Sequence, residues 1–191
     1  RFADGGAAYR PVMRARPAVL LVLALVATVL AAAPARAAAL RVEVVATGLD
    51  HPWEVAVLPT GDLLVTQRDR SRLTLVDPAS GAKRDLAFPS AQVWTRGETG
   101  LLGLAVDPAF TANRRIYTCS GWRADDGSHD IRVNAWTLDA GLTAATLLGP
   151  LVTGLPPSRT GQHGGCRLLV AGDGSLLVGT GDAKRSRVPQ D

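Results

Sequence analysis

The chain has 191 residues, enough for one domain, and is 47% hydrophobic but only 5% aromatic, so Ala, Val and Leu carry its apolar content. Its net charge is +4 and its pI is near 9.7. Five arginines (Arg1, Arg10, Arg14, Arg16 and Arg36) and one acid, Asp4, precede Ala38. The rest is nearly balanced, so the high pI carries no inference of a nucleic-acid partner.

Met13 is the only methionine. Arg14 and Arg16 follow it, then an apolar run over 18–33, then Ala35-Arg36-Ala37. This order of charged segment, apolar segment and A-x-A site predicts a signal peptide over 13–37, with 1–12 as translated upstream sequence and a mature, exported chain from Ala38. The apolar run is short for a membrane span of about 20 residues. A retained anchor is the competing reading.

From Ala38 onward the sequence predicts strands in chain order: "LRVEVVAT", "WEVAVLP", "DLLVTQ", "RLTLVD", "LLGLAVD", "RIYTCSG", "IRVNAWTL", "CRLLVA" and "SLLVGTG". Gly-, Pro- and Asp-rich turns separate them, and "DPAFTANRR" predicts a single helical turn. The pattern is all-β: a sandwich, a barrel or a propeller. "PTGDLLVTQRD" (59–69) and "GDGSLLVGTGD" (172–182) repeat one hairpin, more than a blade length apart, which favours a propeller with units of about 40–50 residues.

The second copy has chemical content. With Asp173 at the hairpin centre, His163 lies ten residues before it and Asp182 nine after it. Antiparallel pairing then sets imidazole beside carboxylate at the open end of the hairpin. A carboxylate there fixes one tautomer and makes the ring a better base. Gly161, Gly164 and Gly165 are expected to leave backbone room for a flat ligand. The competing reading is a surface histidine beside a turn-capping aspartate. Cys119 and Cys166 are expected either to form one bridge in an oxidising compartment or to lie buried as free thiols. No zinc spacing is present.

Three ordered motifs, "GLDHPWEVAVLPTGDLLVTQR", "GETGLLGLAVDPAFTANRRIYT" and "QHGGCRLLVAGDGSLLVGTGDA", resemble the soluble quinoprotein glucose/sorbosone dehydrogenases. The resemblance runs from Gly48 to Asp191. It implies a six-bladed β-propeller, of which 38–191 supplies about the first two to three blades as an N-terminal part. It implies oxidation of a sugar at the anomeric carbon with pyrroloquinoline quinone (PQQ) and calcium, and an external electron acceptor. It makes His163 the general base and Asp182 its orienting partner. Glu98 and Gln162 fall on cofactor-side positions, and both depart from the family's usual residues there. No metal ligand is assigned within the chain; the calcium ligands and the cations for the quinone carboxylates are expected beyond Asp191. A non-catalytic binding propeller and a metal-dependent propeller hydrolase remain the alternatives.

The other candidates receive structural readings. His51 is expected to pack the first blade. Trp53, Trp122 and Trp136 are expected to pack between sheets, while Trp94 lies in the loop just before Glu98. The adjacent acids in "RADDG" (123–127) lack a calcium-loop pattern and read as a solvated turn.

Overall fold

Runs of Val, Leu and Thr bounded by tight turns fold as antiparallel meanders in the computed structural model, which describes residues 40–185. The chain divides into a leading unit, Arg1–Val42, and a second, Glu43–Asp191. The architecture below is that of the second. The proposed signal segment lies outside the described residues.

The first sheet contains β1 (Pro52–Val57), β2 (Leu63–Gln67), β3 (Arg72–Val76) and β4 (Lys83–Asp85), in that spatial order. The second contains β5 (Leu101–Val106), β6 (Arg115–Arg123), β7 (His129–Leu138) and β8 (Ala145–Leu155), again in order. Between β5 and β6 lies the four-residue helix α1 (Phe110–Asn113). The hairpin of β9 (Gly165–Val170) and β10 (Leu176–Thr180) follows. Two four-stranded blades and a third hairpin, with β5 packed beside both β1 and β9, form part of a β-propeller.

Burial explains the patterns. Along β5, Leu101 and Leu104 enter one core, shared with Leu64, Leu73 and Trp136 of the first and second blades. Leu102 and Ala105 enter another, shared with Ile131, Val133 and Leu168. The second blade is therefore covered on both faces, which is why "LLGLAV" reads as a continuous apolar run instead of an alternating one. The hydroxyl of Thr66 donates to Leu102 O at 2.7 Å, tying β2 to β5. Trp136, fully buried, donates its indole N–H to Thr118 Oγ1 at 2.8 Å. We expect Thr118→Val to leave that donor unpaired and to cost about 1–3 kcal/mol in denaturant unfolding. A loss below about 0.5 kcal/mol would mean that the indole finds another acceptor.

Three expectations change. "LRVEVVAT" forms no strand: its alternating Leu40 and Val42 are 94% and 89% exposed, with no sheet edge to bury them. Two unexpected strands, β4 and β8, complete the blades. β4 is three exposed polar residues, and β8 contains Gly149, Pro150 and Gly154 with register shifts against β7. Both are outermost strands, where a missing N–H or an unpacked side chain is tolerated.

Cys119 of β6 and Cys166 of β9 are bridged, with Cα atoms 6.0 Å apart, which decides between the two cysteine readings. The bridge covalently joins the second blade to the third hairpin.

Candidate active site at the third hairpin

The β9–β10 register pairs Leu176 with Val170 and Gly179 with Arg167, then slips by one residue before Thr180 pairs with Gly165. That slip carries Asp182 opposite His163. His163 Nδ1 lies 2.8 Å from Asp182 Oδ1, and Ala183 N donates to His163 O at 3.1 Å. In the neutral ring this contact places the proton on Nδ1 and leaves the Nε2 lone pair free. The imidazole is half exposed and open to a substrate. Its backbone sits at φ 54°, a left-handed conformation uncommon for a non-glycine residue. The hydrogen bond from His163, helped by the Lys184 backbone N–H, holds the Asp182 carboxyl below its ordinary value of 3.8. We expect a carboxyl-carbon NMR titration to place the Asp182 midpoint below that value, and His163→Ala to move it upward. Because the folded pKa is depressed, the pair's contribution to stability is present above the unfolded pKa and is lost as pH falls through the folded one.

A second loop fixes the histidine. Glu98 Oε2 accepts from His163 N at 2.9 Å, and Glu98 N donates to Gly161 O at 3.1 Å. Arg96 and Thr99 exchange both backbone hydrogen bonds, closing a four-residue turn that projects Glu98. Thr99 Oγ1 donates to Gly161 O at 2.8 Å. Gln162 is held away from the pair: its backbone N–H donates to Ser158 Oγ, and its side-chain oxygen accepts from Thr160. Of the four predicted site residues, His163, Asp182 and Glu98 form one hydrogen-bonded group, and Gln162 stands beside it.

The glycines do not have the expected role. A Cβ at Gly161 would lie 1.9 Å from Arg96 O, one at Gly164 2.6 Å from Thr99 Oγ1, and one at Gly165 2.6 Å from Gly181 N. They permit neighbouring segments to touch each other; they do not make room for a ligand.

The first hairpin contains a near-copy of the pair. His51, also at positive φ, precedes β1 and places Nδ1 2.8 Å from Asp50 and 3.2 Å from Asp69. Asp69 ends the first repeat as Asp182 ends the second. The environments differ: Arg68 pairs with Asp69 and Arg70 with Asp50, so arginines neutralise the acids around His51. Among the described residues no arginine or lysine side chain pairs with Asp182. The repeat itself was the signal for this second pair.

Among the described residues, no group of three or more His, Cys, Asp or Glu side chains is arranged to hold a metal ion. No described helix is long and apolar enough to cross a membrane. His163 is an anchored, half-exposed imidazole. Asp182 and Glu98 are both acidic, so they do not supply the cations that a tricarboxylate requires.

The sequence model of the Glucose / Sorbosone dehydrogenase family matches residues 49–191, and the chain belongs to that family. Aldose sugar dehydrogenase YliI of Escherichia coli K12 is 32% identical over 173 residues, covering 90% of this chain and 45% of that protein. Quinoprotein glucose dehydrogenase B of Acinetobacter calcoaceticus is 29% identical over 153 residues, covering 76% of this chain and 31% of that protein. The PQQ-bound aldose sugar dehydrogenase structure from Streptomyces coelicolor superposes with a TM-score of 0.67 at 32% identity, over 78% of this chain and 43% of that one. The chain thus spans less than half the length of the curated relatives it matches.

Proposed function

We propose that the protein containing this chain oxidises an aldose at its anomeric carbon, with PQQ as the immediate acceptor and an external acceptor reoxidising it. The observation that carries this reading is the His163–Asp182 contact, anchored by Glu98, in a member of a sugar dehydrogenase family. His163 Nε2 takes the proton of the sugar O1 hydroxyl. As that proton leaves, the C1–H bond breaks with its electron pair, C1=O forms, and the product is a lactone. Bound PQQ supplies the carbonyl that accepts the hydride. Asp182 stabilises the imidazolium formed, and Glu98 fixes the backbone from which the ring projects. Calcium, with ligands outside the described residues, completes the cofactor set in this proposal.

Export is part of the same proposal. It is supported by the order of charged, apolar and A-x-A segments and by a disulfide that persists in oxidising compartments. The test is dye-linked oxidation of a panel of aldoses by PQQ-loaded protein, with lactone as the identified product. Saturable PQQ binding without oxidation of any aldose would refute the enzymatic reading and favour a binding propeller.

A further inference from the structure

A groove of about 590 Å³ lies beside the candidate site, lined by Trp94, Arg96, His129, Pro157, Ser158 and Arg159. This volume is within the range of small-molecule sites, about 300–1,000 Å³. Its floor is a stacked pair: the Trp94 and His129 rings have centroids 4.7 Å apart and planes tilted by 38°. Trp94 is buried, its backbone N–H donates to Gly121 O at 3.0 Å, and the exposed His129 lies against its ring. Arg96 and Arg159 are exposed, and among the described residues neither guanidinium has a carboxylate partner.

The groove is built from the same two loops as the His163 group. The Arg96–Thr99 turn carries Glu98 to His163 and Arg96 to the groove. The segment from Ser158 to His163 carries Arg159 to the groove and His163 to Asp182. Gly161 O accepts from both Glu98 N and Thr99 Oγ1, which locks the two loops together. A saccharide with its reducing end at His163 can therefore extend a neighbouring unit over the ring stack. Two guanidiniums beside that unit select for a carboxylate, which they engage through paired N–H donors.

We infer that this groove is a subsite for an acidic sugar unit, a uronate next to the reducing-end residue, and that the substrate class includes uronate-containing saccharides. The inference rests on the proposed sugar dehydrogenase reading. A carboxylate could also come from the tricarboxylate cofactor, so both sources are tested. The position of the groove, across the turn from Glu98 and His163, favours a remote part of the substrate, whose binding energy can position the reacting end.

The experiment is calorimetric titration of PQQ-loaded protein with 4-O-β-glucuronosyl-glucose and, in parallel, with cellobiose, its neutral counterpart. We expect the acidic disaccharide to bind at least about fivefold tighter, a preference that shrinks with added salt. Combined Arg96→Gln and Arg159→Gln substitutions should bring the two affinities together, while Arg96→Lys with Arg159→Lys should retain part of the preference. Equal binding of the two disaccharides by the unsubstituted protein overturns the inference. So does a glutamine variant that loses PQQ affinity, measured by fluorescence quenching without sugar, since the arginines would then serve the cofactor. Binding requires no turnover. Tight uronate binding without oxidation would overturn the proposed function and leave the subsite standing; oxidation of neutral sugars without a uronate preference would do the reverse.

Discussion

His163→Ala lowers aldose turnover by about 10²–10⁴-fold in the PQQ-loaded protein, the range for loss of a general base. The affinity for PQQ changes far less, because in the proposed function cations other than His163 hold the quinone carboxylates. His51→Ala is the matched control. It removes a histidine with the same left-handed backbone and a similar aspartate contact, but its acids are already paired with Arg68 and Arg70. Asp182→Asn costs less than His163→Ala, since the amide still accepts from the ring while the charge that stabilises the imidazolium is gone. The measurement is dye-linked turnover under saturating PQQ. Near-normal turnover in His163→Ala, or equal losses in His51→Ala and His163→Ala, would remove His163 from the chemistry.

Cys119→Ser with Cys166→Ser destabilises the protein by about 4 kcal/mol, the loop-closure value for this sequence separation in the chain-entropy account. The bridge spans 47 residues, and both cysteines are buried in the core between the second blade and the third hairpin. The effect reaches catalysis, because β9 begins two residues after His163. Loss of the bridge frees the strand that sets the His163–Asp182 register. Denaturant unfolding under oxidising and reducing conditions measures the effect. A double variant as stable as the oxidised parent would show that packing alone holds the hairpin.

The His163–Asp182 pair was legible because a hairpin is symmetric about its turn, so nearly equal offsets from Asp173 mean proximity. The one-residue slip near Thr180 was not legible, and it is this slip that brings Asp182 opposite His163. Glu98 was found only through family resemblance, and its actual contact could not be inferred from pattern. It accepts from a backbone N–H 65 residues away, and main-chain donors leave no trace in residue identity. The blades were legible where both faces are buried, as in β5, and illegible at β4 and β8, where one edge meets solvent and strand rules relax. "LRVEVVAT" failed for the opposite reason: alternation states what a strand would bury but not whether a partner edge exists. The sequence posed the cysteine question correctly, but only the 6.0 Å separation answers it.

The irregular outer strands have a consequence for behaviour in solution. A sheet edge offers unpaired N–H and C=O groups to any other chain that arrives with a free edge of its own. The first blade ends on Lys83-Arg84-Asp85, too short and too hydrated to template such an addition. The second ends on a long strand, but Pro150 removes a donor and successive register shifts against β7 break up its outer row of hydrogen-bonding groups. Neither rim presents a long, straight edge to a neighbour. These features, which concealed the strands from a pattern reading, protect the blade edges against amyloid-like growth.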